Sequence, residues 1–87
     1  MDEVLKDLRE EIKDIDREII ALLDERFDLC WEIGGYKKEH NIPIQDKNVE
    51  DKKLKDIEYN ASEENSAYIQ EVYKKIFEQS RNMQNEI

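Results

Sequence analysis

Residues 5–33 read LKDLREEIKDIDREIIALLDERFDLCWEI, and this segment carries the clearest structural pattern of the sequence. Its apolar residues recur in alternating steps of three and four, which places them on one face of an α-helix. They are Leu5, Leu8, Ile12, Ile15, Ile19, Leu22, Leu29 and Ile33. The pattern predicts a first helix over residues 3–40, roughly 55 Å long at about 1.5 Å per residue. We expect such a helix to be too long for a compact monomer of 87 residues to cover.

The end of this helix leaves two alternatives. Asn41 can adopt the left-handed conformation that often follows a helix, and Pro43 cannot continue one. The pair Gly34-Gly35 lies inside the predicted helix and costs roughly 2 kcal/mol relative to two alanines. Either the glycines break the helix and give a more compact monomer, or the helix continues and they allow a neighbouring backbone or ligand to approach closely.

Two shorter helices are predicted downstream. Asp46 is expected to cap a second helix that ends near Asn60, with Glu50 in its first turn. Ser62 is expected to cap a third helix. The apolar face of that helix consists of Ile69, Val72, Tyr73, Ile76, Phe77, Met83 and Ile87. The predicted fold class is therefore all-α, with three helices per chain in one domain spanning residues 1–87.

Composition restricts the classes of function. Charged residues make up 43% of the chain and the formal net charge is −9, which argues against binding a nucleic-acid backbone. Cys30 is the only cysteine, so no intrachain disulfide is possible, and no Cys/His spacing indicates a zinc site. We expect Cys30 to be buried. An apolar secretory core and a membrane-length apolar run are both absent from the sequence, so we expect a cytoplasmic location without membrane association.

Several polar residues occupy positions where the helical pattern calls for apolar ones. Arg26 fills the gap in the first stripe, where it could snorkel, set the register of a helix pair, or bind an anion. Lys37 is eleven residues further on, within about 20° of the same face. Considered alone, Lys37 is more typical of a solvated lysine. Ser80 and Gln84 face inward on the third helix, and each alone is more typical of helix packing.

Arg9 flanks the first stripe seventeen residues before Arg26, so on a straight helix the two lie about 25 Å apart. They cannot hold one small molecule from the same chain. If both belong to one pocket, one of them must come from a second, antiparallel subunit.

An ordered set of residues now resembles a known family, the all-helical (type II) chorismate mutases. The set is Arg9, Asp16, Arg26, Lys37, Asp46, Glu50, Ser80 and Gln84, together with the stretch YKKEHNIPIQD at residues 36–46. The resemblance covers nearly the whole chain. It implies an isomerase that converts chorismate to prephenate in phenylalanine and tyrosine biosynthesis, with no metal or cofactor. It also implies an intertwined homodimer whose two active sites each take residues from both chains.

The resemblance further implies a role for each site residue. The catalytic residues would be Lys37, Gln84 and Arg26, with Lys37 and Gln84 donating hydrogen bonds to the ether oxygen of chorismate. The two substrate carboxylates would be bound by Arg26, Lys37, Ser80 and Arg9 of the partner subunit. Glu50, with Asp46 nearby, would hold the ring hydroxyl.

One residue departs from the family pattern, because Val49 stands where the family commonly has an arginine before the glutamate of helix two. Lys47, Lys52 and Lys53 are near it in sequence, but helical spacing does not put them on the same face. The Val49 departure and the acidic surface leave open a catalytically silent helical dimer that regulates or scaffolds an enzyme of aromatic biosynthesis. Isochorismate pyruvate lyase activity also stays open, because related lyases resemble this fold and bind a similar dianion through a similar set of cations.

Overall fold

The structure, a computed structural model, describes residues 2–87 and contains three helices. Helix α1 spans Glu3–Glu39, α2 spans Lys47–Asn60 and α3 spans Glu63–Asn85. Helix α3 packs against both α1 and α2. The predicted all-α class, with one long helix and two shorter ones, is confirmed.

Helix α1 is continuous through the glycine pair, so the alternative with a break at Gly34-Gly35 is wrong. Its first turn is capped by Asp2, whose carboxylate accepts a hydrogen bond from the Leu5 N–H at 3.1 Å. Its last turn closes with Asn41 in the left-handed region at φ 55°, as predicted. The N–H groups of Asn41 and Ile42 donate to the carbonyls of Lys38 and Lys37, which is the Schellman arrangement.

The two glycines differ in their surroundings. A Cβ built on Gly34 would lie 2.8 Å from Gln84 Cγ and 2.5 Å from Ile87 Cδ1, so α3 approaches α1 closely at this point. A Cβ on Gly35 would meet nothing within 4 Å. Gly34 therefore allows α3 to approach α1 closely, as expected if the helix is continuous, whereas Gly35 has no such role.

The starts of α2 and α3 follow their predicted caps to different degrees. Asp46 accepts hydrogen bonds from the Asn48 and Val49 N–H groups at 3.1 and 3.3 Å, and α2 ends at Asn60 as predicted. Ser62 occupies the N-cap position of α3, but its side chain makes no capping hydrogen bond. The first turn of α3 instead carries Glu63 and Glu64, which the helix dipole favours.

The molecule is elongated and its core is small. The radius of gyration is 16.5 Å, compared with about 12 Å expected for a compact domain of this length. The buried hydrophobic residues are Cys30, Ile57 and Phe77, which confirms the expected burial of Cys30. Every residue from 3 to 22 is exposed, including the apolar stripe of that half of α1. None of the helices in residues 2–87 is both long and apolar enough to cross a bilayer.

Candidate functional site

A cavity of about 330 Å³ lies among the C-terminal half of α1, the start of α2 and the C-terminal half of α3. This volume is at the lower end of the range for small-molecule sites. It is lined by residues of all three helices and of the segment between α1 and α2, namely Arg26, Cys30, Ile33, Lys37, Ile44, Asp46, Val49, Glu50, Phe77, Ser80, Arg81 and Gln84. Six of the seven predicted site residues are among them.

One side of the cavity is formed by a hydrogen-bonded cluster between α1 and α3. Arg26 Nη1 donates to Ser80 Oγ at 3.1 Å, and the Cys30 thiol lies 3.4 Å from the same oxygen. The Ser80 hydroxyl donates to the Ile76 carbonyl one turn earlier at 2.8 Å. The Arg26 guanidinium also lies 6.0 Å from the centre of the Tyr73 ring. Arg26 is thus held at the cavity by neutral groups, and no carboxylate of residues 2–87 forms an ion pair with it.

Lys37 and Gln84 lie further along the same helix pair. Lys37 Nζ donates to the Ile44 carbonyl at 2.8 Å, which ties the ammonium to the segment between α1 and α2. An ammonium has three donors, so two remain for a ligand. Gln84 Oε1 is buried and accepts no hydrogen bond from any residue that the structure describes. Unpaired buried polar atoms are uncommon, and one at a cavity wall indicates a position where a ligand can supply the missing partner.

The third group of polar residues lies at the start of α2 and includes Arg81 of α3, which the residue pattern did not predict. Asp46 uses one carboxylate oxygen to cap α2 and lines the cavity beside Glu50. Glu50 Oε2 accepts a hydrogen bond from Arg81 Nη1 at 2.6 Å, a short charge-assisted bond. Arg81 directly follows Ser80 in the chain, but sequence spacing gave no sign that it would meet Glu50, thirty-one positions away.

Arg9 is not part of this cavity. It is exposed on the first half of α1. Its distance from Arg26 along a straight helix places it outside the cavity of its own chain. Its predicted role depends on a second chain, and the geometry of a single chain does not test that role.

The charges at the cavity favour an anion. Arg26, Lys37 and Arg81 contribute three positive charges, and Asp46 and Glu50 contribute two negative ones. The surrounding chain carries a net charge of −9, so this positive cavity is a local departure from an acidic surface. Within residues 2–87, no group of three or more His, Cys, Asp or Glu is arranged to hold a metal ion.

Comparison with known proteins gives the same family as the residue pattern. A family model described as chorismate mutase type II matches residues 8–85. The T-protein of Haemophilus influenzae is 48% identical over 42 residues, which are 48% of this chain and 11% of that protein. A bifunctional chorismate mutase/prephenate dehydratase of Aquifex aeolicus is 52% identical over 42 residues, or 48% of this chain and 12% of that protein. The matches thus span only about a tenth of these curated relatives.

Similarity to a solved structure covers the whole fold. A conserved hypothetical protein from Pyrococcus furiosus is 36% identical, with a TM-score of 0.80 over 97% of this chain and 99% of that one. The family match extends from the first half of α1 to the end of α3, and so includes every predicted site residue from Arg9 to Gln84. The chain belongs to the chorismate mutase type II family.

Proposed function

We propose that this protein is a chorismate mutase, which rearranges chorismate to prephenate in the biosynthesis of aromatic amino acids. The observation that carries the proposal is the convergence of six side chains on one cavity, from all three helices and the N-cap of α2. They are Arg26, Lys37, Asp46, Glu50, Ser80 and Gln84. Membership of the family supports the same activity. The single domain over residues 1–87 and the cytoplasmic location stay predictions.

The proposed reaction is a concerted rearrangement, so the cavity residues need only bind the substrate and stabilise the transition state. The enzyme must hold chorismate in a compact conformer and stabilise the negative charge that develops on the ether oxygen as its bond to carbon breaks. Lys37 and Gln84 are the proposed donors to that oxygen. The amide of Gln84 presents either its oxygen or its nitrogen, depending on its rotation, and only the nitrogen donates.

Arg26 and Ser80 are proposed to bind a substrate carboxylate. The guanidinium of Arg26 has donors beyond the one that Ser80 accepts, and its planar shape matches a carboxylate. Ser80 would donate to the same carboxylate after its hydroxyl hydrogen rotates away from the Ile76 carbonyl. Asp46 and Glu50 are the carboxylates in the cavity and can accept a hydrogen bond from a hydroxyl, so they are proposed to hold the ring hydroxyl.

A homodimer is proposed to complete the site. The exposed apolar stripe along the first half of α1, which includes Leu8, Ile12 and Ile15 at 51–56% exposure, is what an antiparallel partner helix would bury. The same arrangement would bring Arg9 of the partner subunit to the cavity. Arg9 would add a further positive charge for the substrate's two carboxylates.

The test is turnover of chorismate by the purified protein, measured as loss of chorismate absorbance with the product identified by NMR. We expect prephenate to form well above the spontaneous rate. Lys74→Gln is a suitable control, because Lys74 is exposed on α3 and pairs with Glu71 away from the cavity. It should retain the wild-type rate, whereas Arg26→Ala should lose most of it.

Parallel incubation with isochorismate separates this function from the lyase alternative. Release of pyruvate from isochorismate, without conversion of chorismate, would show that the protein is an isochorismate pyruvate lyase and not a chorismate mutase. No turnover of either substrate by folded protein would favour the regulatory dimer.

A further inference from the structure

The cavity contains a cation, Arg81, to which the family resemblance assigns no role. Its side chain lines the cavity together with Arg26 and Lys37, and its guanidinium pairs with Glu50 of α2. Arg26 and Lys37 belong to α1, so Arg81 is the cavity cation that α3 supplies. Any role of Arg81 in binding substrate rests on the proposed chorismate mutase activity.

Val49 explains why such a cation matters. It lines the cavity at the position where the family commonly carries an arginine, and its apolar side chain is 61% exposed and cannot bind an anion. The lysines near it in sequence do not replace that charge, because Lys47, Lys52 and Lys53 are not among the lining residues. Without Arg81, the positive and negative side chains that a single chain places at the cavity would be equal in number, two of each, which is a poor environment for a dianion.

The ion pair between Arg81 and Glu50 differs from the other ion pairs of residues 2–87. The other three join side chains three residues apart on one helix, each at least 44% exposed. Arg81 and Glu50 join α3 to α2, and their side chains are 29% and 21% exposed. An exposed pair within one helix contributes little, whereas a half-buried pair between helices fixes both side chains in place.

The geometry leaves Arg81 able to bind a ligand. A guanidinium has five N–H donors, and Glu50 accepts from Nη1. Glu50 in turn keeps its second carboxylate oxygen for another donor, such as a hydroxyl group. The pair therefore presents hydrogen-bond donors and one acceptor side by side at the cavity wall.

We propose that Arg81 binds a carboxylate of the substrate and supplies, from α3, the positive charge that the family commonly places at position 49. Glu50 orients the guanidinium through the 2.6 Å bond. The positive charge is thus present at the cavity as in the family, but in this chain it is carried by a residue of α3 and not of α2.

The test compares kcat and KM for chorismate, and the thermal unfolding midpoint, in four variants. Arg81→Gln removes the charge, and Arg81→Lys keeps the charge but loses the planar fork. A double variant, Val49→Arg with Arg81→Val, returns the cation to α2. Lys74→Gln is the control, because it breaks an ion pair on the exposed side of the same helix.

We expect Arg81→Gln to lower kcat/KM by ~10- to 100-fold, mainly through KM, as for the loss of a charged hydrogen bond to a ligand. Arg81→Lys should fall between that variant and wild type. The double variant should recover at least ~10-fold of the loss, since the charge at the cavity is restored. Lys74→Gln should match wild type.

Three outcomes would overturn the inference while the wild type is active. These are kcat/KM of Arg81→Gln equal to that of Lys74→Gln, a loss that appears only in the unfolding midpoint, and a folded double variant no more active than Arg81→Gln. If Arg81→Gln fails to fold, activity of the double variant within ~10-fold of wild type supports the inference, and a lower activity opposes it. An inactive wild-type protein would instead overturn the proposed function itself.

Discussion

Gln84 occupies a position where the packing of two helices and the chemistry of the cavity meet. Its side-chain carbons lie against Gly34 of α1, and its amide oxygen is buried without a hydrogen-bond donor among the described residues. The aliphatic part is thus fixed by packing, while the amide is available to a ligand. The proposed function uses that amide to donate to the ether oxygen.

Gln84→Glu should make activity depend on pH, with a rate that recovers as the medium is acidified. A glutamine amide donates at any ordinary pH, whereas a glutamic acid donates only when protonated, and its unperturbed pKa is about 4.3. At neutral pH the ionised side chain would put negative charge beside the oxygen where negative charge develops. The rate of this variant should therefore be low at neutral pH and rise as the pH falls, until the fold or the substrate carboxylates titrate.

The control for this prediction is Gln79→Glu, because Gln79 is exposed on the same helix outside the cavity. It makes the same change of charge on α3 and should follow the wild-type profile. The role of Gln84 as donor would be wrong if the two glutamate variants had the same pH profile.

Residue spacing together with the family resemblance predicted six of the residues at the cavity but not Arg81. Arg26, Ser80 and Gln84 were detectable because each interrupts an apolar helical face. Arg81 interrupts no such face, and its partner Glu50 is on another helix. Their contact depends on how α2 and α3 pack against each other, which the spacing along either helix does not encode.

Among the helices, the end of α1 and the start of α2 follow from a few local sequence signals. Asn41 and Pro43 predicted the end of α1, and Asp46 predicted the start of α2 through its side-chain cap. Continuity through Gly34-Gly35 did not follow from propensity, which disfavours two glycines in a helix. It depends on the tertiary contact between Gly34 and α3, which compensates for part of that cost.

The two glycines should therefore respond in opposite ways to alanine. Gly35→Ala should raise the free energy of unfolding by about 1 kcal/mol with unchanged activity, because its Cβ meets nothing in the chain. Gly34→Ala should lower activity, because its Cβ would displace Gln84 at Cγ and at Cβ, 2.8 and 3.2 Å away. Chemical denaturation and chorismate turnover measure the two effects.

Each glycine variant is the control for the other, since both add one methyl group to adjacent positions of α1. Wild-type turnover by Gly34→Ala, at a stability equal to that of Gly35→Ala, would show that the contact with Gln84 does not constrain the cavity.

At the scale of the whole molecule, the chain has far more exposed apolar surface on α1 than its two other helices can cover. Its extents are 57 × 25 × 15 Å, and the longest is close to the length of α1 itself. The exposed half of α1 carries both the apolar stripe and Arg9. One second copy of the chain, packed antiparallel, would account for both features.

In this proposed assembly, each active site takes Arg26 from one chain and Arg9 from the other. Arg9→Ala and Arg26→Ala should each be nearly inactive as homodimers, because every site lacks one arginine. In a heterodimer of the two variants, one site lacks both arginines and the other contains both. Joint refolding of the two variants should therefore restore activity.

The most direct test is to refold Arg9→Ala and Arg26→Ala together in equal amounts and to measure chorismate turnover. Random pairing puts half of the dimers in the mixed form, with one intact site of two, so we expect about a quarter of the wild-type activity. The control mixture pairs Arg9→Ala with a chain that carries both substitutions, which yields no intact site and should stay inactive. If the first mixture is no more active than the control, although sedimentation shows dimers, then the two arginines do not meet across subunits.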